Sequence, residues 1–147
     1  MFERYTEPAR RALFFSRYEV SRLGGDRITS EHLLLGVLRE VREVTWKIAA
    51  QARIDLSTLQ DDVRRRCAGG ETLPSSFEIP FGEDTKRILY RAAAEADALG
   101  HRSISPDHLV LAMLTDGSNG AAHLLVEHGI VVEDVRRQLA ETPDSAA

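Results

Sequence analysis

The sequence predicts an all-α fold of eight helices, arranged as two four-helix repeats related by a pseudo-twofold axis. Three observations lead there. The stretch ITSEHLLLGVL at 28–38 returns as ISPDHLVLAML at 104–114. The match at this offset of 76 residues runs without a gap from Tyr5 to Val63. Apolar residues recur at helical spacing, and no alternating run of useful length suggests a strand.

The identical pairs include Glu7/Glu83, Arg11/Arg87, Leu13/Leu89, Glu19/Glu95, Gly24/Gly100, Ile28/Ile104, His32/His108, Leu35/Leu111 and Ile54/Ile130. Spacing and residue class persist together too long for chance, so the chain is an internal duplication of two copies. The first helix is expected over about Glu7–Leu23, with Thr6 accepting from a free amide at its start and Gly24 stopping it. Its expected core face is Ala9, Leu13, Ser16, Val20 and Leu23, matched in the second copy by Ile88, Leu89, Ala92, Ala96 and Leu99. The second helix opens at Thr29 or Ser30 and carries Leu33, Leu34, Val37 and Leu38 inward. A third is expected over roughly Glu43–Ala52 and a fourth from near Ser57 through Leu59 and Val63. In the second copy Pro106 suits a first helical turn, where its missing N–H is not needed. The boundaries read as one domain over 1–147: repeat one 2–67, a Gly/Ser/Pro-rich linker 68–78, repeat two 79–141 and a tail 142–147.

Composition narrows the function. Hydrophobic residues make up 43% and charged residues 29%, which is ordinary for a globular protein. The net charge of −4 disfavours a non-specific nucleic-acid binder. The one cysteine, Cys67, cannot close an internal disulfide, and no apolar run reaches the length of a signal peptide core or membrane span. The expectation is a cytoplasmic protein with no membrane partner.

The opening MFERYTEPARRAL, the paired EHLLLGVL and DHLVLAML, and Ile79-Pro80-Phe81 resemble the double Clp N-terminal repeat. This is the amino-terminal domain of ClpC- and ClpA-type AAA+ unfoldases, and the likeness covers about Met1 to Leu139. The 147 residues hold no GxxxxGKS/T phosphate loop, and the only lysines are Lys47 and Lys86. The chain therefore reads as a Clp N domain standing without ATPase modules. The resemblance implies regulated proteolysis and stress response, with client or adaptor proteins and Clp unfoldase or peptidase components as partners, and direct modulation of the unfoldase–peptidase complex as the alternative. No enzyme motif is found: the five histidines lack metal spacing, no nucleophile has a base beside it, and neither metal nor cofactor is expected.

Three binding surfaces compete. At the start of each second helix, Thr29, Ser30 and Glu31 are matched by Ser105, Pro106 and Asp107. The family resemblance implies phosphoarginine recognition there, with Glu31 and Asp107 holding the guanidinium and Thr29, Ser30 and Ser105 near the phosphate. Pro106 and the shorter Asp107 depart from the family pattern, and N-capping alone also explains these residue types. A second patch, Phe2, Arg10, Phe81 and Lys86, matches positions where cyclic-peptide antibiotics dock on actinobacterial ClpC relatives, which would let the chain act as a decoy for such compounds. A third, Phe14, Phe15 and Tyr18 with Arg11 and Arg22, comes from helical spacing alone and suggests a partner surface. Arg64-Arg65-Arg66 is the one feature pointing to a nucleic-acid-binding or transcriptional regulator, against the charge of the rest.

Overall fold

The computed structural model describes residues 2–72 and 78–144; linker residues 73–77 and tail residues 145–147 lie outside the described residues. The helices are α1 (Glu7–Leu23), α2 (Ser30–Glu40), α3 (Val44–Gln51), α4 (Leu56–Cys67), α5 (Glu83–Ala98), α6 (Pro106–Asp116), α7 (Gly120–Glu127) and α8 (Val132–Glu141). Thr6 Oγ1 accepts from Ala9 N at 3.2 Å, as its position before the apolar run predicts. Gly24 ends α1 at φ 99°, and a side chain there would collide with the Gly70 carbonyl.

The inner face of α1 differs from the expected one. Ala9, Ala12, Ser16, Glu19 and Val20 are buried, whereas Leu13 and Leu23 are half-buried on the flank. The cause is close approach of α2. Gly36 faces the Ala12 carbonyl and Ser16, and a Cβ on Gly36 would collide with both. Small residues turn toward α2 because only they let the two backbones meet, and the leucines seal the edges. In the second copy Ile88, Ala92 and Ala96 are buried as expected, with Leu89 and Leu99 again half-buried.

Helices α2 and α6 are buried along most of their length and pack against each other at the centre. One contiguous apolar cluster takes residues from both halves, from Leu33, Leu34 and Leu59 to Leu109, Leu124 and Val135.

The pseudo-twofold is visible in the hydrogen bonds. The segment before α1 pairs with the α5–α6 turn: Thr6 N donates to Ile104 O at 3.0 Å, and Ile104 N donates to Arg4 O at 2.8 Å. The segment before α5 pairs in the same way with the α1–α2 turn: Gly82 N donates to Ile28 O at 2.9 Å and Ile28 N to Pro80 O at 2.8 Å. Each repeat therefore lends its leading strand-like segment to the other, in two parallel bridges, Tyr5 with Ile104 and Ile28 with Phe81. A surface ion pair recurs too, Arg11–Glu40 at 3.0 Å and Arg87–Asp116 at 3.1 Å. Among the described residues no single helix is long and apolar enough to cross a membrane; the apolar α6–α7 pair is bent by 98° and lies largely buried in the core.

Candidate functional site

The two histidines repeated at 32 and 108 build the helix starts. At α6, Ser105 Oγ accepts from His108 N while Ser105 N donates to His108 Nδ1 at 2.9 Å, a reciprocal capping box. Because Nδ1 accepts this backbone proton, the neutral ring carries its hydrogen on Nε2. That Nε2 lies 2.9 Å from His101 Nδ1 and donates to it. Burial, and then the neighbouring His101, push the His108 pKa down to about 4. At α2 the same box joins Thr29 and His32, with Thr29 N donating to Nδ1 at 3.1 Å. The residue equivalent to His101 is Gly25, and there His32 Nε2 is buried without a hydrogen-bond partner. Burial also lowers the His32 pKa.

The acidic residues one turn into these helices reach across the pseudo-twofold. Asp107, only 5% exposed, accepts from Val44 N at 3.2 Å and from Thr45 N at 2.8 Å. It caps α3, whose own N-cap residue Glu43 makes no side-chain cap bond. In the other direction Ser30 Oγ accepts from Ala121 N at 3.2 Å and donates to Glu31 Oε1 at 2.8 Å. Glu31 lies so close to Gly120 that a Cβ there would overlap its carboxylate. Each repeat thus supplies polar groups to the start of the other's third helix. Ser30 N donates to Asp84 Oδ2 at 3.1 Å, and Pro106 has no amide hydrogen at the equivalent place. The expected phosphate and guanidinium ligands are therefore gathered at both helix starts, and each of Thr29, Ser30, Glu31, Ser105 and Asp107 also serves the fold. Sequence spacing could not reveal this, because the partners lie in the other repeat.

Beside the start of α6 lies a cleft of about 790 Å³, lined by both halves. Its walls are the residues before and at the start of α1, the α2–α3 connection, the 101–103 turn and the end of α8. Cations Arg4, Arg11, Arg42 and Arg102 share the lining with carboxylates Glu3, Glu7, Glu40, Glu43 and Asp107. The Arg4 guanidinium donates to Arg102 O at 2.8 Å, His101 O at 3.1 Å and Asp97 Oδ1 at 2.8 Å, which stiffens the turn.

Of the second expected patch, Phe2 and Phe81 meet across the repeats and Arg10 joins Phe2. The rings of Phe2 and Phe81 meet edge-on with centroids 6.3 Å apart, both half-buried. Arg10 Nε donates to Phe2 O at 3.4 Å, and Lys86 pairs with Glu83 at 3.2 Å one turn into α5. On α1, Phe14 and Tyr18 are 67% and 46% exposed, while Phe15 is half-buried under the Arg39 guanidinium, 3.6 Å from its ring centre. Arg64, Arg65 and Arg66 form ion pairs with Asp61, Asp62 and Glu127, so the basic run is neutralised locally. Burial, then the charges of Glu31 and Glu19, push the Cys67 thiol up to about 12, so it is not a thiolate near neutrality. Among the described residues no group of three or more His, Cys, Asp or Glu side chains could hold a metal ion.

An all-α duplicated domain, with its two halves exchanging leading segments and capping each other's helices, defines the class. The chain belongs to the Clp repeat (R) N-terminal domain family, whose model matches residues 4–128. It is 30% identical over 141 residues to the chaperone protein ClpB of Oceanobacillus iheyensis, and 33% identical over 139 residues to the chloroplastic chaperone protein ClpC2 of Arabidopsis thaliana. These alignments cover 96% and 95% of this chain but span only 17% and 14% of those relatives. The N-terminal domain of ClpD from Arabidopsis thaliana superposes with a TM-score of 0.71 at 25% identity, covering 95% of this chain and 96% of that one. The Hsp104 N-terminal domain from Candida albicans shares the fold, with a TM-score of 0.76 at 18% identity over 95% of this chain and 91% of that one.

Proposed function

We propose that this chain is a non-catalytic binding module of the Clp proteolysis system that engages client or adaptor proteins at the cleft beside α6. The observation that carries this reading is the cleft itself, whose lining gathers arginine guanidinium groups and glutamate carboxylates from both halves. Phosphoarginine suits that pattern: a phosphate faces the 101–103 turn, and its guanidinium is gripped by the rim carboxylates of Glu7 and Glu43. Asp107 is held by α3, so it contributes shape rather than a free carboxylate. A second subsite falls at the start of α2, where Glu31 takes the guanidinium.

Calorimetric titration with free phosphoarginine, against arginine and phosphate as controls, tests the reading. Saturable binding selective for the phosphorylated form supports it, and the stoichiometry counts the subsites. Glu31→Ala is expected to lower that stoichiometry by one while leaving the fold intact, since Thr29 still caps α2. An unchanged titration removes Glu31 from the site.

The Phe2/Phe81 patch supports a second reading, docking of an adaptor segment or a cyclic peptide. Here two half-buried rings span the repeat boundary, with Arg10 held beside Phe2. Phe2→Ala combined with Phe81→Ala is expected to weaken a cyclic-peptide ligand at least tenfold and to leave phosphoarginine titration unchanged. Equal loss of both ligands with loss of helicity would show that the rings serve the core.

A further inference from the structure

The segment after α8 forms part of the cleft wall and ends on the 101–103 turn. Thr142 Oγ1 donates to Gln138 O at 2.8 Å, and Thr142 and Pro143 line the cavity wall. Asp144 then places its carboxylate on the 101–103 turn. Its Oδ2 accepts from Arg102 N at 2.8 Å, and its Oδ1 accepts from Ser103 N at 3.2 Å and Ser103 Oγ at 2.6 Å. The Arg102 guanidinium approaches the same carboxylate at 4.0 Å.

Two consecutive amides and a hydroxyl converging on one carboxylate form an anion nest. The nest is built rather than incidental. Ser103 is only 6% exposed, and Arg4 pins the carbonyls of His101 and Arg102 from behind. With those carbonyls held, the amides of Arg102 and Ser103 face outward together. The donors suit any oxyanion, a phosphate as well as a carboxylate.

We propose that Asp144 is a tethered competitor: it fills the anion nest of the cleft and must leave before the phosphate of a bound side chain can enter. The proposal rests on the reading that the cleft takes a phosphorylated side chain. A carboxylate carried on the same chain acts at an effective concentration of about millimolar, enough to rival a weak ligand. Closure then lowers the apparent affinity by the fraction of molecules left open. Removing the competitor restores it.

The test uses the full chain as wild type, Asp144→Ala, and Asp144→Ala combined with Ser103→Ala. Two readouts are taken: the amide NMR shifts of Arg102 and Ser103, and titrations with phosphoarginine and with inorganic phosphate. In Asp144→Ala both amides are expected to shift before any ligand is added, and the phosphoarginine Kd to fall about fivefold. Adding Ser103→Ala is expected to cancel that gain. If the wild type binds phosphoarginine and Asp144→Ala binds it with the same Kd, the competitor is overturned while the cleft reading stands. If neither protein binds phosphoarginine, the cleft reading fails, and inorganic phosphate decides the competitor separately. Phosphate shifts at Arg102 and Ser103 that are stronger in Asp144→Ala than in wild type would retain it; none in Asp144→Ala would overturn it.

Discussion

Asp107→Ala is expected to lower the unfolding free energy by about 3 kcal/mol. The carboxylate accepts from two amides at the buried start of α3, and its removal leaves both donors without that partner in a site water reaches poorly. Helix α3 is only eight residues long, too short to hold itself without packing and caps. Trp46, the single tryptophan, sits in the first turn of α3 and is 53% exposed, so its fluorescence reports the fraying directly. Urea titration followed by Trp46 emission and by far-ultraviolet dichroism measures the effect. The expected signature is a lower midpoint with emission changing ahead of helicity. Asp107→Asn keeps one acceptor and is expected to recover about half the loss. Stability unchanged in Asp107→Ala would sink the cap and return this carboxylate to ligand binding.

The second large effect is acid lability between pH 6.5 and 4. His108 has an ordinary value of 6.5 and a value of about 4 in the fold. In that window the unfolded chain binds a proton that the folded chain refuses. Stability is therefore fully present above pH 6.5 and is lost as pH falls toward 4, by about 3 kcal/mol for a shift of this size. His32 is displaced in the same direction by burial and adds to the slope. Unfolding free energies measured from pH 7.5 to 4 should show this decline. His108→Gln, which offers a neutral acceptor to Ser105 N, is expected to flatten most of the slope even if its stability at pH 7 is lower. A slope unaltered by that replacement would assign the lability elsewhere.

Much of the fold was legible because the duplication writes each signal twice. Thr6, Gly24, Pro106 and the EHLLLGVL/DHLVLAML pair mark helix boundaries by local chemistry, and the structure places α1, α2 and α6 accordingly. The orientation of α1 was less legible. Spacing puts Leu13 and Leu23 in the core beside Ser16, but the approach of Gly36 brings Ala12 inward with Ser16 and leaves the leucines on the flank. A hydrophobic pattern on one helix does not contain the closeness of its neighbour. The same reason hid the chemistry of the helix starts. Ser and Thr before an acid are correctly read as caps, yet Asp107 caps residues 44 and 45, and Ser30 meets residue 121, contacts that no local window holds. His108 stands out in the sequence only as the repeat of His32, and its partner His101 becomes relevant only once the turn folds back. The nest around Asp144 was invisible in the sequence, where residues 142–147 read only as a tail.

The reciprocal bridges at Tyr5–Ile104 and Ile28–Phe81 carry an evolutionary implication. Each half finds the partner for its leading segment, and part of the capping of its third helix, only in the other half. A lone half would expose unpaired backbone and the central faces of α2 or α6, whereas two copies of one half could satisfy each other in the present geometry. The duplicated chain thus joins covalently the two complementary surfaces that a symmetric pair of chains would bring together. Within one chain the two halves need not stay identical: Gly25 stands in one where His101 stands in the other, so the two helix starts can hold different chemistry.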